Sequence, residues 1–178
     1  PRSQYEIIVA DSSSSDGTAS LAESLADKIV VAEKRGIAHG RNSGAHAAEG
    51  GILVFVDADV TLDPGFLREL AVAFQERNVL GVTGLAIPGD GSLFQRAVYR
   101  GTYILVRLFN SLGLPLYPGL CVAYRKETFD TVEGFREDFG IVEDLDLSKR
   151  VSKLGRCMVK SSAIAHVSTR RLKKHGLS

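Results

Sequence analysis

The stretch Ile52–Val60, ILVFVDADV, joins five apolar residues directly to two carboxylates placed two residues apart. A short apolar run of this kind is typical of a buried strand. In open α/β sheets, ligands bind beyond the carboxyl ends of the strands. We therefore predict that residues 52–56 form a core strand and that Asp57 and Asp59 lie at the ligand-binding edge of a sheet.

The rest of the chain alternates between strand and helix patterns. Strands are predicted at residues 5–10, 28–31, 79–87, 117–124 and 156–167, and helices at residues 18–27, 36–49, 66–77, 93–114, 126–131 and 144–154. Asp63 is the expected N-cap of the third helix, with Pro64 at its first position. Strands that alternate with helices of this length form a mainly parallel sheet with helices on both faces, so the predicted fold class is α/β.

The composition indicates one globular domain. The chain has 178 residues, of which 44% are hydrophobic and 24% charged, and its net charge of +1 argues against disorder and against a nucleic-acid-binding arm. Cys121 and Cys157 match no metal-binding spacing. They favour free thiols in a reducing compartment, and hence a cytoplasmic location. No apolar run reaches the length of about 18 residues that a membrane-spanning helix needs.

Residues 93–114 have an amphipathic pattern in which Arg96, Arg100 and Arg107 interrupt Leu, Val, Ile and Phe residues. We expect a core helix here. The alternative is a helix that lies on a membrane surface.

Asp57 and Asp59 would share one face if the segment stays extended, so both carboxylates could point at one ligand. Two acids so close repel unless a cation or a proton lies between them. Oxygen ligands at a strand edge suit Mg²⁺ or Mn²⁺, held together with substrate phosphates. The alternative is that one acid caps a turn.

Three acids, Glu143, Asp144 and Asp146, crowd the start of the last predicted helix. Capping explains Asp144 alone, because an acid is favoured at a helix N-terminus. Three acids are more than capping needs, so we expect one of them to face a site.

Asp11 ends the first predicted strand and occupies the same kind of edge as Asp57, so it is a candidate ligand-reading residue. Ser12–Ser15 favour a turn, and Asp16 is interpreted as structural. Three glycines spaced by four residues indicate close helix packing or backbone approach to a ligand: Gly36, Gly40 and Gly44.

Four segments, in this order, resemble the family-two inverting glycosyltransferases of the GT-A fold: YEIIVADSSSSDGT (5–18), RGIAHGRNSGA (35–45), LVFVDADVTLDPGFL (53–67) and VEDLDLSKR (142–150). The resemblance spans residues 5 to about 160. It implies a metal-dependent enzyme that moves a sugar from a UDP- or GDP-linked donor, with inversion, to an acceptor hydroxyl or a lipid phosphate.

The resemblance also implies roles for particular residues. Asp144 would be the catalytic base and Asp11 would contact the nucleotide base. Asp57 would bind the ribose or the metal, and Asp59 the Mg²⁺ or Mn²⁺ that bridges the donor diphosphate. Arg41 would support the nucleotide side of the site.

The end of the chain resembles a segment that closes over the donor in some members of this family. It would make His166 a further metal ligand, although a core or surface histidine fits equally well. Arg170, Arg171 and Glu143 are secondary site candidates. The basic tail and the amphipathic stretch also imply contact with the cytoplasmic face of a membrane and a lipid-linked acceptor.

Two departures from the family pattern matter. The family opens with a central strand of the VIIPTYN type that is absent before Pro1, so the sheet is expected to lack its middle strand. We interpret residues 1–178 as a single GT-A-like catalytic domain that is truncated at the N-terminus, and we consider an early stop after Ser178. The second departure is Glu133-Gly134-Phe135, which replaces Gly-Gly-Phe and alters the expected acceptor loop.

The main alternative is a nucleotide-sugar-binding or scaffold domain of the same fold that lacks turnover. A nucleotidyltransferase is disfavoured because no Gly-rich N-terminal loop is visible. A dinucleotide-dependent oxidoreductase is disfavoured because no GxGxxG motif follows a strand.

Overall fold

The structure is a computed structural model that describes residues 2–89, 91–140 and 142–168. Within these ranges the strands are β1 Ile8–Asp11, β2 Lys28–Val31, β3 Ile52–Val56, β4 Val60–Leu62, β5 Val79–Pro88, β6 Cys121–Arg125 and β7 Arg156–Val167. The α-helices are α1 Thr18–Ala22, α2 Ile37–Ala47, α3 Phe66–Ala73, α4 Leu93–Ser111, α5 Lys126–Thr131 and α6 Glu143–Ser152. Short 3-10 helices occur at Arg2–Gln4 and Glu137–Phe139.

Five strands form the main sheet, in the order β3-β6-β5-β7-β4. The strands β3, β5 and β7 run in one direction, while β6 and β4 run against their neighbours. The α/β class with a mainly parallel sheet is confirmed, but the sequence patterns did not indicate the reversed strand β6. The pair β1–β2 is parallel and forms a separate two-stranded sheet in the described residues.

Helices cover both faces of the main sheet. On β6, Val122 and Tyr124 point into one core cluster, where residues of α2, α5 and α6 pack on them. The neighbouring residues Cys121 and Ala123 point into a second cluster, which α3 covers. This alternation is the period of two that a strand buried on both faces requires.

Helix α2 packs tightly against β1 because its glycines carry no side chain. A Cβ at Gly44 would lie 3.1 Å from the Cβ of Ala10, and a Cβ at Gly40 would lie 2.6 Å from the Oγ of Ser12. The glycine spacing was expected to reflect either close helix packing or backbone approach to a ligand. Close packing accounts for Gly40 and Gly44. This packing places Gly40, in the first turns of α2, beside Ser12, which directly follows β1.

The prediction that Asp63 is the N-cap of α3 is wrong. The helix begins at Phe66 and its N-cap is Gly65, which adopts φ 97°. The side chain of Asp63 instead meets His166, with the Oδ1 atom 2.6 Å from Nε2. The strand β4, which directly precedes this turn, was not predicted, and its pairing with β7 holds Asp63 near His166.

The expectation that α4 is a core helix is also wrong. Its N-terminus carries a capping box in which Ser92 and Gln95 bond each other's backbone N–H groups. Along the helix, however, only Gln95 and Val106 are buried among the described residues. Most of its large apolar side chains face outward. None of the helices in the described residues has the length and apolarity needed to cross a bilayer.

Candidate functional site

Arg41 joins three separate segments at one edge of the sheet. Its Nη1 donates to Glu143 Oε1 at 3.0 Å, and its Nη2 donates to Asp57 Oδ1 at 2.8 Å and to the carbonyl oxygen of Gly119 at 3.1 Å. The guanidinium also lies over the ring of Phe135, 5.3 Å from its centroid. The side chain is only 14% exposed, so these contacts form in a largely dry environment.

Glu143 is the most deeply buried acid of this group. The residue is 3% exposed, and its Oε2 atom has no hydrogen-bond partner among the described residues. A buried carboxylate is costly unless it is paired with a cation. Arg41 supplies this partner for the Glu143 side chain, and Glu143 in turn helps to fix the position of Arg41.

Asp144 lies beside this pair but has different partners. Its Oδ2 accepts from the backbone N–H of Gly119 at 2.5 Å, and its Oδ1 accepts from the N–H of Leu145 at 2.8 Å. Gly119 is thus bonded on its N–H side by Asp144 and on its carbonyl side by Arg41. A Cβ at Gly119 would lie 2.6 Å from Arg41 Nη1, so a larger residue there would displace the Arg41 guanidinium from its present position. No sequence signal singled out Gly119.

Asp57 and Asp59 do not continue the extended strand. The N–H of Val60 donates to the carbonyl oxygen of Asp57 at 3.0 Å, which closes a turn between β3 and β4. The premise that an extended backbone turns both carboxylates to one face is therefore wrong. Asp57 accepts a hydrogen bond from Arg41, whereas Asp59 lies near Tyr99 of α4. Burial, and to a smaller extent the negative charge of Asp59, raise the pKa of the Tyr99 hydroxyl.

His166 does not form a cluster of possible metal ligands with Asp57 and Asp59 in the described residues. The described ranges contain no group of three or more His, Cys, Asp or Glu side chains that could hold a metal ion. The Nε2 of His166 is close to Asp63, and both side chains are partly exposed. Arg170 and Arg171 lie outside the described residues.

Asp11 is buried at the end of β1 and organises the loop that follows. Its carboxylate accepts from the N–H of Ser14, at 3.1 Å from Oδ2. Ser13 adopts φ 60° and donates its hydroxyl to the carbonyl oxygen of Ala32. Asp16 accepts from the N–H and the hydroxyl of Thr18, which is the structural role expected for it.

Asn42, next to Arg41, clamps the loop that was expected to contact the acceptor. Its amide donates to the carbonyl oxygen of Phe135 at 2.8 Å and accepts from the N–H of the same residue at 2.9 Å. The buried Phe135 ring packs edge-on against Phe55 at 5.0 Å. The sequence analysis grouped Asn42 with Arg41 and did not foresee this role.

A cavity of about 180 Å³ lies between α4 and the strands β5 and β6. Tyr99 and Tyr103 line it from the helix, and Leu120 and Cys121 line it from the sheet side. The Tyr103 hydroxyl is buried and has no partner among the described residues. The carbonyl oxygen of Leu120 accepts a hydrogen bond from the N–H of Asp57. The cavity therefore adjoins the turn between β3 and β4 that carries Asp57 and Asp59, called the acidic turn below.

Comparison with known proteins decides the family. The family model described as glycosyl transferase family 2 matches residues 1–132. The chain belongs to glycosyl transferase family 2. This match includes Asp11, Arg41, Asp57 and Asp59. Glu143 and Asp144 lie beyond it; in the structure they bond to Arg41 and to Gly119, respectively.

Curated relatives of this glycosyl transferase family 2 chain carry matching descriptions. The O-antigen chain rhamnosyltransferase WbaN of Salmonella anatum is 28% identical over 163 residues, which cover 84% of this chain and 52% of the relative. The uncharacterized glycosyltransferase YfnE of Bacillus subtilis is 39% identical over 87 residues, which cover 46% of this chain and 22% of the relative. The chain spans about half the length, or less, of these relatives.

Solved glycosyltransferases share the fold. The mannosyltransferase PcManGT from Pyrobaculum calidifontis, solved with GDP-Man and Mn²⁺, has a TM-score of 0.80 and 24% identity, and the match covers 99% of this chain and 51% of that one. Residues 1–349 of S. aureus TarS with UDP-GlcNAc have a TM-score of 0.70 and 19% identity over 96% of this chain and 51% of that one. These structural neighbours are GT-A glycosyltransferases, so the fold inferred from the sequence motifs is confirmed.

Proposed function

We propose that this glycosyltransferase moves a sugar from a UDP- or GDP-linked donor to an acceptor hydroxyl or lipid phosphate, with metal dependence and with inversion at the anomeric carbon. The observation that carries the proposal is the Arg41 network. The Arg41 guanidinium holds Asp57, Glu143 and Gly119 together at the carboxyl end of β3, and α/β sheets bind ligands at this kind of edge.

The donor side of the site is proposed to consist of Asp11, Arg41 and Asp57. Asp11 is the last residue of β1, and Asp57 directly follows β3; helix α2 lies between these two strands in the chain. Structural neighbours support a nucleotide sugar as donor, since PcManGT was solved with GDP-Man and TarS with UDP-GlcNAc. These two proteins differ in the nucleotide base, so the proposal keeps both UDP and GDP.

The residues at the acidic turn fit a hard divalent cation. Mg²⁺ and Mn²⁺ sites in transferases use one or two carboxylates and complete their coordination with substrate phosphates and water. Asp57 and Asp59 are both partly exposed and supply such carboxylates, so a three-residue protein cluster is not required. When bound there, the cation would neutralise charge that develops on the leaving diphosphate.

Asp144 is the proposed general base. The acceptor hydroxyl loses a proton as its oxygen forms a bond to the anomeric carbon and the bond from that carbon to the diphosphate breaks. Each carboxylate oxygen has two lone pairs, so Asp144 can accept this proton while it still bonds the N–H groups of Gly119 and Leu145. A single displacement of this kind inverts the anomeric centre.

No protonated acid is needed opposite the base. Glycosidases need one because an alkoxide is a poor leaving group. A diphosphate leaves more readily, and its charge is stabilised by electrostatic contacts that are already in place. The proposed mechanism therefore uses Asp144 as the base and needs no second, protonated carboxyl group.

The alternative function is nucleotide-sugar binding without turnover. It is favoured by one observation, namely that both oxygens of Asp144 already bond backbone N–H groups and so could serve the loop alone. The two functions differ in whether a transferred sugar is formed.

The test is a thermal-shift screen of the protein with UDP- and GDP-sugars, with Mn²⁺ or with EDTA, followed by transfer assays on each donor that stabilises it. Proton NMR of the product then gives the anomeric configuration. We expect a metal-dependent shift, transfer and inversion, with Asp16→Asn as a control acid outside the site. Retention of configuration, or a donor shift that EDTA leaves unchanged, would contradict the proposal. Binding without transfer to any acceptor would support the alternative.

A further inference from the structure

Helix α4 turns an apolar face away from the protein along its whole length. At 3.6 residues per turn, its packed side is marked by Gln95, Tyr99 and Val106. The opposite side forms an exposed arc of about 140°. Its large apolar side chains are Leu93, Phe94, Val98, Ile104, Leu105 and Leu108.

A basic strip borders this arc on one side. Arg96, Arg100 and Arg107 are all exposed and fall between the packed side and the apolar arc. No Asp or Glu occurs between Gly91 and Lys126. The helix therefore presents apolar side chains and positive charge together and carries no acid of its own that could neutralise its arginines.

We propose that α4 docks this outer face on the surface of an anionic lipid bilayer and lies parallel to it. An amphipathic helix of this kind buries its apolar face at the boundary between headgroups and acyl chains, while its arginines bind lipid phosphates. The arrangement is that of an interfacial helix and differs from that of a spanning helix, which none of the described helices resembles.

The charge pattern favours a bilayer over a second copy of the chain. In a symmetric dimer with the two helices antiparallel through this face, the arginine strips would lie side by side, and the flanking sequence offers no acid to pair with them. An anionic bilayer supplies both the apolar phase and the negative charge. Exposed Leu112 and Leu114 extend the apolar face past the helix end.

Docking in this way has a geometric consequence for the site. The packed side of the same helix carries Tyr99 and Tyr103, which line the cavity beside the acidic turn. A bilayer against the outer face would therefore hold the cavity within one helix diameter, about 10 Å, of the lipid headgroups. The surface interaction itself does not depend on the proposed glycosyl transfer, so either can fail without the other.

The test is co-sedimentation of the protein with phosphatidylcholine vesicles, prepared with and without phosphatidylglycerol. We expect enrichment on the anionic vesicles that falls as salt is added, because salt screens the arginine contacts. Replacing Arg100 and Arg107 by Gln should weaken binding about fivefold for each charge removed. The matched control is Arg77→Gln, an exposed arginine on another surface, which should bind like the parent.

The apolar contribution is tested by the double variant Leu105→Glu and Leu108→Glu. Both side chains are about half exposed, so the fold should tolerate the change, and circular dichroism should show an unchanged melting transition. Binding to anionic vesicles should be lost, whereas Leu21→Glu on α1, which is 76% exposed, should leave it intact.

Three results would overturn the proposal. The first is no enrichment on anionic vesicles, and the second is equal loss of binding in the Leu21→Glu control. The third is a dimer in sedimentation velocity that the Leu105→Glu and Leu108→Glu variant dissociates while vesicle binding is absent. This last result would assign the face to a second copy of the chain.

Discussion

Replacing Arg41 by Met should destabilise the protein mainly through Glu143 and only slightly through Asp57. The Glu143 side chain is 4% exposed, and removal of its cation leaves a buried charge without a partner, which costs about 3–5 kcal/mol. The Asp57 side chain is 30% exposed, and ion pairs of this exposure contribute about 0–1 kcal/mol. The variant should therefore lose about 3–5 kcal/mol of unfolding free energy in urea titrations.

A double-mutant cycle separates the two branches. Glu143→Gln removes the buried charge, so when it is combined with Arg41→Met it should recover part of the lost stability. We expect a coupling energy between Arg41 and Glu143 of about 2–3 kcal/mol, and one between Arg41 and Asp57 of about 1 kcal/mol or less. Asp57→Asn is the matched control because it removes the other carboxylate that the same guanidinium contacts.

The functional readouts should divide in the opposite way. Asp57→Asn should weaken donor binding in isothermal titration while it changes stability little. Glu143→Gln should lower stability and retain more of the donor affinity. Additive stability effects for Arg41 and Glu143, or a larger coupling to Asp57, would refute the reasoning that burial decides which ion pair holds the site together.

Other consequences of the structure can be measured independently. Asp144→Asn should abolish sugar transfer yet leave nucleoside diphosphate affinity near that of the parent in titration calorimetry, and loss of both together would point to a purely structural tether. Gly84→Ala should destabilise the protein by about 1–3 kcal/mol, because its Cβ would lie 2.6 Å from the carbonyl oxygen of Ala163, and a neutral result in urea unfolding would contradict that packing. Gly101→Ala in α4 is the matched control: nothing lies within 4 Å of its Cβ, so it should stabilise the protein by up to about 1 kcal/mol. Burial raises the pKa of the Cys121 thiol to about 11 and that of Cys157 to about 12, so both should stay protonated at pH 8 and react with a disulfide reagent only after unfolding; rapid labelling of the native protein at pH 8 would disprove this.

The order of strands and helices was readable from the sequence wherever the hydrophobic pattern is strong. Strands β3 and β7 and helix α5 have the bounds that were predicted, because each begins and ends where the pattern changes. Strand β4 was missed because three residues carry too little pattern and depend on pairing with β7, which is about a hundred residues away. The reversed direction of β6 was missed for a related reason, since pairing partners are set by the whole sheet.

The site was predicted as a set of separate residues, mostly acids together with Arg41, but not as a network. Arg41 reaches Gly119 across 78 positions and Glu143 across 102 positions, and no local spacing encodes such contacts. The orientation of α4 was predicted wrongly because an amphipathic pattern shows that two faces differ without showing which one packs on the sheet. Asp57 and Asp59 were expected to share a face because the turn between β3 and β4 has no distinctive glycine or proline.

The most direct test of the central claim is the affinity for UDP and GDP, measured by titration calorimetry with Mn²⁺ and with EDTA, in the parent and in Asp59→Ala. The account predicts that Mn²⁺ strengthens binding of the preferred nucleotide to the parent by about tenfold or more, equivalent to about 1.4 kcal/mol, and that Asp59→Ala removes this difference. An affinity for both nucleotides that is the same with and without Mn²⁺ in the parent would contradict a cation-assisted donor site at the acidic turn.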